Sequence, residues 1–264
     1  MNAETIPERL PLPGVKHVLA VASGKGGVGK STTAANLSVA MAQSGAKVGL
    51  MDADIYGPNV PIMMGTRERP EMTAEGQILP LVQHGVKLVS LGLIVEGGMP
   101  VIWRGPMLAK MVTQFLQDVA WAPLDCLVVD LPPGTGDVQL TLTQTAPIDG
   151  AVIVTTPQQV ALEDVQRGVQ MFNTVDVPVL GVIENMSAYV CAKCGTRTDI
   201  FGHGGGAQMA AYYEIPFLGE IPLDLRLQQG GDAGVPVTVA EPESELAKIY
   251  RGLAEKLLTE LGQA

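Results

Sequence analysis

The sequence predicts an α/β fold, a doubly wound and mainly parallel sheet with helices on both faces. Three observations carry this expectation. Apolar runs of strand length recur along the chain and alternate with stretches of helical periodicity, the pattern of strands buried on both faces. Aromatic residues make up only 4% of the 264 positions while glycine occurs 31 times, which suits an aliphatic core joined by tight connections. The first apolar run also meets a glycine cluster immediately before a helical pattern, the strand, loop and helix order of such folds.

Taken in order, HVLAVAS at 17–23 reads as the first strand and 31–43 as the first helix. KVGLMDAD at 47–54 is a second strand that ends in the carboxylates of Asp52 and Asp54. VKLVSLGL (86–93), LDCLVVDL (124–131), GAVIVTT (150–156) and VPVLGVIEN (177–185) repeat the strand pattern, and helical patterns cover 106–120, 137–146 and 159–173. Residues 186–206 break the rhythm with glycines and polar residues, and read as an irregular excursion. From 243 to 261, Leu246, Ile249, Tyr250, Leu253, Leu257, Leu258 and Leu261 fall at helical spacing, so this stretch is expected to be a terminal helix packed on the sheet. Residues 1–14 read as a flexible arm and 15–264 as one domain, with no repeat or linker to divide it.

Charge and composition exclude several function classes. A net charge of −10 argues against nucleic-acid binding, which needs clustered lysine and arginine to neutralise phosphates. No apolar run approaches the roughly 20 residues that cross a bilayer. The C-terminal helix mixes acids with its bases, unlike a membrane-surface helix. The first fifteen residues lack the pattern of a targeting segment. Three cysteines cannot all pair within the chain, so a reducing, cytoplasmic setting is expected.

Gly24-Lys25-Gly26-Gly27-Val28-Gly29-Lys30-Ser31, followed by Thr32, satisfies the phosphate-loop pattern and lies between a strand and a helix as that pattern requires. Glycines let backbone N–H groups converge on phosphate oxygens, and the helix N-terminus favours negative charge. Lys30 is placed to reach the terminal phosphates and Ser31 to offer its hydroxyl to Mg2+. Asp52 and Asp54 end a strand beside the loop strand, where carboxylates hold Mg2+ or orient the attacking water. Lys25 is an extra cation at a position the ordinary pattern leaves unspecified; on its own it also reads as a solvated loop charge.

KGGVGKS resembles the deviant phosphate loop of the family that includes the septum-site ATPase MinD, the ParA partition ATPases and the nitrogenase iron protein. The resemblance implies ATP binding by a face-to-face homodimer in which Lys25 reaches the partner's nucleotide. It gives Asp54 the water-positioning role and, in the segment LVVDLPPGTGD, gives Asp130 a place in Mg2+ binding. By the same match, Gly134 turns its N–H toward the γ-phosphate.

Cys191-Ala192-Lys193-Cys194 is a C-x-x-C whose spacing lets two thiolates face one metal. The chain has no second such pair, and Cys126 reads as a small buried residue in a strand, so a tetrathiolate site needs two chains. Zinc and an iron-sulfur cluster both accept that ligand set, and a redox pair or an incidental spacing are further readings. His203 reads as a solvated loop histidine rather than a ligand, and Arg104 is placed near a dimer face without a mechanism.

Together with the phosphate loop, the segments DADIYGPNVPIMMG, VIWRGPM, LVVDLPPGTGDVQL, ENMSAYVCAKCG and FGHGGG resemble the Mrp/ApbC-type iron-sulfur cluster carrier ATPases and their mitochondrial complex I assembly relatives. The similarity runs from about residue 15 to 260. It implies slow ATP hydrolysis and a homodimer that holds a [4Fe-4S] cluster between the Cys191 and Cys194 of both chains. By the same resemblance, the cluster is expected to come from iron-sulfur scaffold proteins and to pass to apo-proteins. It also implies that Asn185 contacts adenine and that Pro222 and Asp224 flank the base. Two departures stand out: Ala192 follows the first cysteine where the family often has proline, and the extra N-terminal domain of longer relatives has no counterpart in this sequence. The competing readings are a positioning ATPase of the MinD/ParA kind and a zinc-stabilised scaffold with a nucleotide site.

Overall fold

A computed structural model describes residues 11–54, 57–94, 105–134 and 136–263. The central sheet is built on β1 (Val15–Ala22), which lies between β5 (Leu124–Asp130) and β6 (Gly150–Thr155), parallel to both. Beyond β5 come β2 (Val48–Asp52) and β4 (Val86–Ser90), also parallel, and then the short antiparallel β3 (Leu81–Gln83) at the edge. On the other side β6 pairs with the long β7 (Val179–Val190). Strand β9 (Phe217–Leu223) runs parallel to β7, and the two-residue β8 (Arg197–Thr198) folds back antiparallel on its far end. The expected doubly wound, mainly parallel sheet is therefore what the chain forms.

Both faces are buried because successive strand residues point to opposite sides and both sides are apolar. Val18, Ala20 and Ala22 face one layer, with Val112, Phe115 and Leu116 of α4 (Gly105–Asp118) and Val165, Val169 and Phe172 of α6 (Gln159–Thr174). Helix α5 (Asp137–Thr145) and α7 (Gly205–Tyr212) complete that side through Leu142 and Ala210. Leu19 and Val21 face the other, with Leu37 and Met41 of α1 (Lys30–Gln43) and Tyr250, Leu253 and Leu257 of α10 (Glu245–Gln263). Short helices α2 (Val60–Met63), α3 (Leu91–Ile94), α8 (Leu225–Ala233) and α9 (Val237–Ala240) line the rim. Among the described residues no helix is long and apolar enough to cross a membrane.

Most element ends shift by one or two residues, β2 among them, which stops at Asp52 and leaves Asp54 in the loop beyond it; three departures are more telling. The stretch 86–93 stops being a strand at Ser90, where α3 begins. Residues 11–14, placed in a flexible arm by the sequence, are anchored: Leu12 is buried, and Leu124 donates its N–H to the Gly14 carbonyl at 2.9 Å. The excursion at 186–206 is only partly irregular, since β7 runs on through Val190 before turning back into β8. Its polar composition concealed a strand whose end is held by main-chain pairing rather than by apolar burial.

Candidate nucleotide and cysteine sites

The glycine loop lies between β1 and α1, at the carboxyl ends of the parallel strands, where doubly wound sheets bind ligands. Gly29 takes φ +84 as the cap residue just before α1, a conformation that disfavours any side chain. A Cβ there would also stand 2.1 Å from Asn185 Nδ2. That amide donates to the Val28 carbonyl at 2.8 Å, so Asn185 on β7 is fastened to the loop. Gly24 is equally constrained, because a Cβ would fall 2.1 Å from Asp164 Cβ on α6.

Lys30 and Ser31 converge on one carboxylate. Lys30 Nζ lies 2.6 Å from Asp130 Oδ1, and the Ser31 hydroxyl donates to Oδ2 at 2.6 Å. Asp130 is fully buried, which pushes its carboxyl pKa up, while the Lys30 charge opposes the shift. Strand register places Asp52 beside Asp130. Asp52 accepts from the Ser90 hydroxyl at 3.0 Å and from the Asp54 N–H at 3.1 Å. Burial first, and then the neighbouring Asp130 charge, raise its pKa to about 7.

Two cavities surround the loop. One, of about 420 Å3, is lined by Lys25, Gly26, Gly27, Lys30, Ser31 and Asp54. The other, of about 370 Å3, is lined by Asn185, Pro222, Asp224, Leu227 and Gln228. Gly29, Thr32, Asn59, Met63 and Met186 border both, so the two form a continuous groove around the start of α1. The structure thus brings together Lys25, Lys30, Ser31, Thr32 and Asp54 on one arm, with the buried Asp130 bonded behind Lys30 and Ser31, and Asn185, Pro222 and Asp224 on the other. Asp224 also caps α8, accepting from the Arg226 N–H at 2.9 Å and pairing with its guanidinium at 2.7 Å.

Two groups of the loop region make contacts within the chain. The Gly134 N–H, expected to face the γ-phosphate, donates to the Ser23 carbonyl at 3.0 Å, because a backbone donor at the loop needs a partner and this carbonyl is within reach. Lys25 Nζ contacts Gln158 Oε1 of its own chain at 3.3 Å, with the Thr156 hydroxyl donating to the same oxygen at 2.8 Å. Arg104 lies outside the described residues. Sequence reasoning missed Asn59, Met63 and Met186; the last has φ 55, an unusual backbone for methionine that no local pattern announces.

The cysteines stand apart from the loop, on the turn between β7 and β8. Cys191 donates its N–H to the Thr196 carbonyl at 3.0 Å, and Gly195, at φ +71, donates to the Cys191 carbonyl at 2.8 Å. Cys194 is exposed and Cys191 half-buried, both as free thiols. Hydrogen bonding to the Thr196 side chain, then to its backbone and to Cys191, holds the Cys194 thiol below the usual range. Among the described residues no three His, Cys, Asp or Glu side chains converge as a metal set. His203 instead faces Arg197 at 3.3 Å. Cys126 is fully buried, which pushes its thiol pKa up to about 12.

Comparison with known families decides the relationship: the model of the NUBPL iron-transfer P-loop NTPases, of the ParA group, matches residues 14–258. The chain belongs to this family. A Synechocystis relative, an iron-sulfur cluster carrier protein, is 48% identical over 99% of this chain and 75% of its own length. An Arabidopsis thaliana relative, a mitochondrial iron-sulfur protein required for NADH dehydrogenase, is 49% identical over 94% of this chain and 80% of its own. Among solved structures, an Archaeoglobus fulgidus nucleotide-binding protein in complex with ADP superposes with a TM-score of 0.79 at 39% identity, covering 93% of this chain and 95% of its own. A P-loop NTPase of this family is thus the frame into which the groove and the cysteine turn fit.

Proposed function

We propose that this chain is an ATP-hydrolysing iron-sulfur cluster carrier. Two copies hold a [4Fe-4S] cluster on the Cys191 and Cys194 of each, receive it from scaffold proteins and pass it to apo-proteins in the cytoplasm. The observation that carries the reading is the course of β7: Asn185 at its middle is bonded to the phosphate loop, and the same strand ends in the cysteine turn. One chain offers two open thiols, and a cluster of this type takes four, so a second copy is needed. The relatives named as iron-sulfur cluster carriers support the cargo, and the ADP complex of the archaeal relative supports the nucleotide.

The donors around Asp130 suit Mg2+, which takes oxygen ligands: a hydroxyl and a carboxylate already meet at 2.6 Å, with Asp54 lining the same cavity. Ser31, Asp130 and Asp54 would hold the ion, which neutralises charge on the phosphates. The loop N–H groups and Lys30 bind and neutralise the triphosphate, and Asp54 orients the attacking water. Lys25 exchanges Gln158 for the partner's nucleotide, so that slow hydrolysis follows dimerisation. Asn185, Pro222 and Asp224 enclose the base.

Anaerobic reconstitution with iron and sulfide tests the cargo, comparing the wild type with Cys191→Ser. About four iron and four sulfide per dimer are expected in the wild type and none in the variant. Zinc retained without sulfide, or equal iron in both proteins, would overturn the assignment.

A further inference from the structure

Glu184 has no part in the nucleotide or thiolate chemistry described above, yet it is a fully buried carboxylate on β7. Burying a charged or polar group costs free energy unless its bonds are made, so such a residue needs a reason. One of its oxygens, Oε2, accepts the Gly206 N–H at 2.5 Å, at the start of α7. The other, Oε1, has no partner among the described residues. The contact is close-fitting: a Cβ on Gly206 would stand 3.0 Å from Oε2 and 3.1 Å from the Glu184 Cβ.

Its neighbour Asn185 does the complementary thing. Adjacent strand residues point to opposite faces. Val182 packs in the layer with α7, and Ile183 in the layer with α1. Glu184 follows Val182 and holds α7, while Asn185 follows Ile183 and holds the phosphate loop at Val28. The stretch between these anchors, 186–205, contains both cysteines. One end starts at the residue bonded to the phosphate loop, and the other is bonded to the residue before it. The strand register with β9 also shifts between Asn185 and Tyr189, where Met186 takes φ 55.

We propose that Glu184 is a positioning residue that couples nucleotide occupancy to cargo binding at Cys191 and Cys194. The inference rests on the carrier reading above and adds the element that links its two sites. A displacement of β7 that follows nucleotide contact at Asn185 moves Glu184 with it, because the two share one peptide bond. Glu184 then carries the start of α7, and the closing end of the cysteine segment, along the same path. Without the carboxylate, the start of α7 loses its hydrogen bond to the strand and is left with packing contacts alone.

Binding at two coupled sites is reciprocal, so the coupling is read as a ratio of affinities. The Kd for MgADP is measured on the full chain, cluster-loaded and cluster-free, for the wild type, Glu184→Ala and Glu184→Gln. The wild-type ratio is expected to be at least about fivefold, the lower end of ordinary allosteric coupling. In Glu184→Ala it should fall to about one, with the cluster-free Kd held within about twofold of wild type. Glu184→Gln keeps an acceptor for the Gly206 N–H and should retain part of the ratio. Gly206→Ala, which displaces the carboxylate, serves in place of Glu184→Ala if circular dichroism shows that variant unfolded. A ratio unchanged in the variants, or a wild-type ratio of one in protein that binds both ligands, overturns the inference and leaves the carrier reading standing. A wild type that binds nucleotide and never loads a cluster overturns the carrier reading itself.

Discussion

Lys30 and Asp130 form an ion pair at 2.6 Å with almost no solvent access, the lysine opening α1 and the aspartate closing β5. Together with Ser31, the pair occupies the point where phosphate and Mg2+ chemistry is expected. The lysine's charge is held inside the protein by a carboxylate that is itself desolvated. Removing one member of a buried pair leaves the other uncompensated, at a typical cost of about 3–5 kcal/mol. Lys30→Ala is therefore expected to lose MgADP binding and also to unfold at lower denaturant than wild type. Asp130→Asn keeps one acceptor oxygen but leaves Lys30 without its counter-charge, so it too should unfold at lower denaturant than wild type, and it should weaken the Mg2+ dependence of nucleotide binding. Calorimetric titration with and without Mg2+, beside urea unfolding, checks both; a Lys30→Ala protein as stable as wild type would contradict the buried pairing.

Lys25 offers a contrast, since its contact with Gln158 is 3.3 Å long and only part-buried. A bond of that kind contributes about 1 kcal/mol or less, so its loss should not disturb the fold. Lys25→Ala is expected to bind MgADP as wild type does and to hydrolyse ATP at least about tenfold more slowly, a barrier increase of about 1.4 kcal/mol. Steady-state phosphate release is the measurement. Equal turnover in the two proteins would remove the cross-subunit role proposed for this lysine.

The legibility of the sequence follows the range of the interactions. The glycine loop, the parallel strands and the terminal helix were readable because glycine spacing and apolar period are local properties. Strand β9 escaped that reading because Phe217–Leu223 contains Pro222 and buries only Leu218 and Ile221 fully, three residues apart, which lowers its strand signal. Its ladder bonds are made to β7 alone, so a proline is tolerated there. Met63 and Asn59 join the groove only because α2 packs against α1 and α8, contacts between segments distant along the chain. Asn185, Pro222 and Asp224 became candidates through family resemblance; nothing in their own segments says that they share a cavity.

Gly29 carries two constraints at once, its φ of +84 and the 2.1 Å approach of a notional Cβ to Asn185 Nδ2. An alanine in that backbone region costs about 1–2 kcal/mol. Its methyl group would also drive the Asn185 amide off the Val28 carbonyl. Gly29→Ala should remain folded and lose at least about tenfold in ATP affinity, or about 1.4 kcal/mol. Competition between ATP and GTP reads the second effect, because a displaced Asn185 no longer fixes the base arm of the groove. Wild-type affinity and selectivity in this variant would show that Asn185 has no part in enclosing the base.

Asp52 makes the fold sensitive to pH in a direction opposite to that of a salt-bridged acid. Burial and the adjacent Asp130 raise its pKa from 3.8 to about 7, so the folded protein holds a proton that the unfolded chain has released. Between these values the native state binds more protons, and stability falls as pH rises. Below 3.8 both states are protonated and Asp52 makes no difference; above 7 both are ionised and the full penalty is present. Asp52→Asn keeps one acceptor and supplies a donor for the Ser90 hydroxyl, which suits a site that favours the neutral acid. Its stability relative to wild type should climb from pH 4 to pH 7 and then level off, with a ceiling of about 4 kcal/mol at 1.36 kcal/mol per pKa unit. Urea unfolding of both proteins across that range measures the difference directly. A flat difference would place the Asp52 proton elsewhere, whereas a rising one ties the carboxyl beside Asp130 to the stability of the nucleotide site.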